Sequence, residues 1–130
     1  PSDRLAAAGA MKALGWRVRI RIDPMIAGCD YTQTVRQVRL LAPERLTLGC
    51  LRADGRLGEF VAPGTLAGLV DPGRPDGLWQ YPRDTRLALY RPAVEALRGI
   101  CSIGLCEEWP DVWDELGLDR AARTCNCNHL

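Results

Sequence analysis

The run Trp16-Arg17-Val18-Arg19-Ile20-Arg21-Ile22-Asp23-Pro24 alternates polar and apolar residues without a break. A period of two belongs to a β-strand, whose successive side chains leave opposite faces. Val18, Ile20 and Ile22 therefore point one way, and Arg17, Arg19, Arg21 and Asp23 the other. Pro24 has no N–H to donate and is expected to end the pairing.

On either side the period changes. Residues 2–14 read as a helix that Ser2 or Asp3 can cap, with Leu5, Ala8 and Leu14 as its stripe and Gly15 as its stop. Residues 30–41 read as a second helix, capped by Asp30, with Val35, Val38 and Leu41 on one face and Pro43 beyond its end. Residues 45–52 form a second strand, and residues 84–98 a helix carrying Leu87, Tyr90, Val94 and Leu97. Pro92 inside that run predicts a kink, or a helix that begins near it. Residues 100–106 form a third strand and residues 110–116 a short helix. Between them, residues 53–83 hold six Gly and four Pro. They read as an irregular connection, of a length that compact domains keep for mobile or functional segments.

Helices alternating with strands define an α/β fold with a mainly parallel sheet and right-handed crossovers. Three parallel strands leave both sheet edges open. A piece of a larger barrel or open sheet is thus expected, and a chain that opens on Pro1-Ser2 agrees with that.

At 130 residues, 47% of them hydrophobic, the chain suits one domain. A net charge of +1 excludes a polyelectrolyte-type nucleic-acid binder. Lys12 is the only lysine; the arginine excess reflects base composition or arginine-specific recognition of oxyanions. No apolar run of 18 residues is present. Six cysteines without a secretion pattern predict reduced thiols in the cytoplasm.

Chemistry is expected where strands end and loops begin. The three strands end in Asp23, in Arg52 and in Cys106-Glu107. If the first strand turns its apolar face to the helices, Arg19, Arg21 and Asp23 line a cavity; the alternative is an edge strand with a solvated arginine face. On the third strand Ser102, Gly104 and Cys106 then face the same cavity. Gly49 and Gly104 lack a Cβ and either admit a ligand or mark bulges. Cys106 with Cys125-x-Cys127-x-His129 offers thiolate and imidazole ligands for zinc or an iron–sulfur centre. The one-residue spacing is not that of a zinc knuckle, and a frayed tail with reduced thiols is the alternative. His129 reads as solvated, and Cys29, Cys50 and Cys101 as packing or loop residues. Trp109 and Trp113 anchor the tail or stack on a base.

Several blocks together resemble the spore photoproduct lyase-like family of radical S-adenosylmethionine proteins. The block from Gly15 to Ile26 looks like the fifth strand of that family. Thr47-Leu48-Gly49-Cys50-Leu51-Arg52 is similar to its next strand, where Thr is more usual than Cys50. Leu105-Cys106-Glu107-Glu108, Val112-Trp113, Leu116-Gly117-Leu118-Asp119 and Cys125-Asn126-Cys127 look like its C-terminal signature.

The resemblance implies the C-terminal half of a partial (βα)6, TIM-like barrel over residues 1–130, with 53–83 as a lid and 107–130 as a cysteine-containing tail. It implies S-adenosylmethionine and a [4Fe–4S] cluster as cofactors, hydrogen abstraction by a 5′-deoxyadenosyl radical, and DNA photolesions as a substrate class. It carries Arg21, Asp23, Gly49 and Arg52 over as cofactor or substrate contacts, and Cys106, Cys125 and Cys127 as signature cysteines able to hold an auxiliary metal. The cluster-binding Cys-x-x-x-Cys-x-x-Cys run is absent from the chain. The partner expected is therefore the N-terminal half of the barrel, on the same or a separate chain, without which the reaction should not proceed. The rival expectation is a non-catalytic binding module with structural zinc at its C-terminal cysteines.

Overall fold

The computed structural model describes residues 2–73 and 77–122. Its elements are α1 (Ser2–Ala13), β1 (Arg19–Met25), α2 (Thr32–Leu41), β2 (Arg45–Cys50), β3 (Arg52–Ala53), a 3-10 turn at Gly55–Glu59, β4 (Trp79–Gln80), α3 (Arg83–Leu97), β5 (Ser102–Leu105) and α4 (Pro110–Glu115). β1, β2 and β5 form a parallel sheet with β2 in the middle. Both crossovers step the same way across the sheet, so right-handed connections lay α2 and α3 on one face. The chain is a mixed α/β protein with an open three-stranded sheet. Among the described residues no strand pairs with the outer edge of β1 or of β5.

The register sorts the side chains. Ile20, Leu46 and Ile103 lie in one row and Ile22, Leu48 and Leu105 in the next, all on the helix side. Leu46, Leu48, Val38 and Leu97 have no solvent exposure. Each aliphatic side chain buried that fully stabilises the fold by about 1.5–3 kcal/mol. On the opposite face Arg19, Arg45 and Ser102 share a row, and Arg21, Thr47 and Gly104 the next.

Three local outcomes differ from what the sequence implies. Pairing of β1 begins at Arg19 rather than Trp16, and it does not stop at Pro24. A bulge carries it past the proline to Met25, which pairs with Cys50. α3 runs unbroken through Pro92. The carbonyl that a proline there leaves without its donor is that of Ala88, and both residues are exposed, so water can serve it. Residues 53–83 are not one irregular connection. β3 and β4 pair antiparallel near its two ends, and Val70 and Gln80 exchange backbone hydrogen bonds of 2.9 and 3.0 Å. Leu69 and Tyr81 are buried, which pins the excursion to the body.

Lys12 donates to the carbonyls of Leu41 and Ala42, both at 2.6 Å, and so caps the C-terminus of α2. Arg83 of α3 pairs with Asp111 of α4 at 2.6 Å, and Arg98 donates to the carbonyl of Leu116 at 2.8 Å, tying α4 to α3. Among the described residues no helix is long and apolar enough to cross a membrane.

Candidate functional site

The C-terminal ends of the three parallel strands converge on a group of charged and sulfur-bearing side chains. In an open α/β sheet this end collects ligands, because loops and helix N-termini meet there. Period-two alternation puts Arg21 and Asp23 on the face away from the helices. Arg21 Nε donates to Asp23 Oδ2 at 2.9 Å, and its Nη2 lies 2.9 Å from Cys106 Sγ. Cys106 itself is fixed by the sheet, since its N–H donates to the carbonyl of Leu48 at 2.7 Å. β1 and the end of β5 thus supply the side chains of one cluster, and β2 supplies the carbonyl that holds Cys106.

Gly49 has a defined reason to be glycine. A Cβ there would lie 2.6 Å from Cγ of Asp23. The carboxylate of Asp23 occupies the space above the Gly49 backbone, so this glycine admits a neighbouring side chain. Thr47, in the same row as Arg21, is fully buried, and its Oγ1 has no hydrogen-bond partner among the described residues.

Beside this cluster Arg52, at the start of β3, forms an ion pair with Glu107. The Arg52 guanidinium is held above its ordinary pKa: burial works against the charge, and Glu107, then Cys106 and Asp23, outweigh it. Glu107 directly follows Cys106 and adopts φ +50°, a left-handed conformation uncommon for a residue with a side chain.

Behind Arg52 lies a second, buried layer. Arg86 Nε lies 3.1 Å from both oxygens of Glu108, and Arg86 Nη1 donates to the carbonyl of Tyr81 at 2.5 Å. Tyr90 donates to Glu108 at 3.1 Å and accepts from the Cys50 N–H at 2.9 Å. Burial chiefly pushes the Cys50 thiol up to about 12, so this sulfur stays protonated. Burial raises the Tyr90 hydroxyl pKa as well.

The chain's other two tyrosines act in the same way. Tyr31 accepts from the Ile26 N–H at 2.7 Å and Tyr81 from the Ala27 N–H at 3.2 Å. All three hydroxyls therefore hold backbone at the ends of β1 and β2. This places the turn after β1 and the last residue of β2, and with them Asp23 and Cys50.

Of the residues singled out in the sequence, Arg21, Asp23, Gly49 and Cys106 come together, and Arg52 stands next to them through Glu107. Cys125, Cys127 and His129 lie outside the described residues. Among the described residues no three His, Cys, Asp or Glu side chains converge as a metal site would require. Arg19 is separate, paired with Glu44 at 3.2 Å near the start of β1. Trp113 is buried in the core, whereas Trp109 is partly exposed at the start of α4. Sequence reasoning missed Arg86, Glu108 and the tyrosine clamps. The one signal was the place of Glu108 in the Leu105-Cys106-Glu107-Glu108 block; Arg86 and the tyrosine hydroxyls gave none.

No family model, no curated protein and no solved structure matches the chain.

Proposed function

We propose that this chain is the C-terminal portion of a radical S-adenosylmethionine enzyme of the spore photoproduct lyase-like kind, and that the strand-end cluster forms part of its cofactor and substrate cavity wall. One observation supports this most: the sheet is one-sided. The helices cover one face, while Arg21, Asp23 and Cys106 gather on the other, and both sheet edges are unpaired among the described residues. A half-barrel has that sidedness, with its lumen face polar and its edges awaiting further strands.

The two implied cofactors fare differently. The described residues do not fit the [4Fe–4S] cluster, because no three potential ligands converge and the chain has no Cys-x-x-x-Cys-x-x-Cys run. No step is assigned to this chain through it. The donor set fits the polar groups of S-adenosylmethionine, with Asp23 as an acceptor and Arg21 and Arg52 as fixed positive charge. When bound beside a cluster, that cofactor supplies a 5′-deoxyadenosyl radical for hydrogen abstraction. The part left to this chain is to bind and orient. Arg21 holds Asp23, Gly49 leaves room for it, and the tyrosine clamps fix the strand ends that carry both. The partner this requires is an N-terminal half bearing the cluster motif, with DNA photolesions as the substrate class and the cytoplasm as the compartment.

The test is to co-express the chain with such an N-terminal half, reconstitute it anaerobically with iron and sulfide, and measure 5′-deoxyadenosine after reduction with dithionite. Product that disappears with Asp23→Ala, while the assembly and its iron content remain, supports the proposal. Product unchanged by Asp23→Ala, or no product from a fully loaded assembly, overturns it.

A further inference from the structure

The Arg52–Glu107 pair is lopsided. The Arg52 side chain is 16% exposed and that of Glu107 54%. Its cation is therefore fixed in the body, and its carboxylate stands in solvent. The Glu107 backbone sits at φ +50°, a region that a non-glycine residue occupies only when its surroundings hold it there. Glu107 and Arg52 line a crevice together with Cys50, Arg86, Tyr90 and Glu108, and no water fits inside it. The other negative side chains nearby are already engaged. Asp23 is held by Arg21, and Glu108 by Arg86. An anion that replaced Glu107 would meet a guanidinium fork suited to two parallel hydrogen bonds.

We infer that Glu107 is a built-in plug on an oxyanion subsite centred on Arg52, which a carboxylate or phosphate group of the ligand fills by displacing the Glu107 carboxylate. This deepens the cavity-wall reading and rests on it. It assigns Arg52 a ligand chemistry and makes Glu107 the group that keeps the subsite shut when no ligand is bound.

The experiment is a titration of the whole chain with inorganic phosphate, and separately with acetate, followed by isothermal titration calorimetry and, wherever Arg52 is present, at its Nε–Hε resonance by nitrogen NMR. Glu107→Gln should bind up to about fivefold more tightly than the unaltered chain, the equivalent of losing one modest competing ion pair. Glu107→Gly, which suits the left-handed backbone, should do the same, so a folding defect in either variant cannot hide the effect. Arg52→Gln should abolish the gain. The anion that gains more from Glu107→Gln identifies the ligand group. Equal affinities in the unaltered chain, Glu107→Gln and Glu107→Gly overturn the inference, as does phosphate binding that survives Arg52→Gln. Such a failure leaves the 5′-deoxyadenosine assay untouched. Conversely, loss of that product with anion binding intact would overturn the enzyme reading alone.

Discussion

Glu107 and Glu108 are neighbours in the chain and opposites in their surroundings. Glu108 has a side chain 3% exposed against an Arg86 side chain 6% exposed, whereas Glu107 stands in solvent over Arg52. Glu108 also accepts from Tyr90 and from the Trp109 N–H at 3.0 Å, so its lone pairs are spoken for. One carboxylate is locked by three donors, and the next reaches into solvent. The same chemistry serves two ends. The buried pair fixes the loop after β5, and the exposed pair is the one proposed to exchange partners.

If burial sets the difference, breaking the inner pair must cost far more than breaking the outer one. Glu108→Ala strands a buried guanidinium and should cost about 3–5 kcal/mol in urea unfolding. A loss under about 1 kcal/mol would show that Arg86 finds another partner or water, and the contrast would fail. Gly49→Ala comes next. Its Cβ would meet the Asp23 carboxylate, so a loss of about 1–3 kcal/mol is expected. Adding Asp23→Ala removes the obstacle, and the double variant should recover most of that loss. Additive losses would mean that Gly49 is required for some other reason. Tyr90→Phe leaves the Cys50 N–H without its acceptor and Glu108 without one donor, at about 1–2 kcal/mol by the same measurement. A neutral Tyr90→Phe would show that water replaces the hydroxyl.

The sheet and its polar face were readable from the sequence because period-two alternation survives translation into a parallel strand. Arg21 and Asp23 must share a face once Ile20 and Ile22 are buried, and the strand ends then meet through topology. The β3–β4 pairing was hidden because two residues per strand show no period. The path of α3 through Pro92 was hidden because solvent on that side, invisible in sequence, removes the penalty. Arg86 and Glu108 were hidden for a related reason. Charge in a sequence reads as surface, and only the placement of α3 beneath the loop after β5 turns the pair inward. The roles of Cys125 and Cys127 were read from spacing and fall outside the described residues.

The outer pair should yield the next smaller effect. Arg52→Gln is expected to change stability by less than about 1 kcal/mol, because one partner is hydrated and the attraction is screened. A loss as large as that from Glu108→Ala would make Arg52 a structural residue and remove its freedom to change partners.

The smallest effect should come from the opposite end of the sheet, where Glu44 supplies a third kind of pair. It faces Arg17, whose side chain is 77% exposed, and Arg19, whose side chain also reaches solvent. Hydrogen bonds from Arg17, then Arg19, nevertheless hold its carboxyl down to about 2 from an ordinary 4.5. A folded-state pKa lowered in this way contributes stability that is fully present above the unfolded value. That contribution disappears as pH falls from 4.5 towards about 2. Glu44→Gln should therefore remove a small, solvent-screened contribution at neutral pH, flatten the acid limb of stability in that window, and converge with the unaltered chain near pH 2. Added salt should shrink the difference, because both arginines are in water. An unaltered acid limb in Glu44→Gln would show that the ion pair is as strong in the unfolded chain. Burial, not contact, would then separate Glu108 from Glu44.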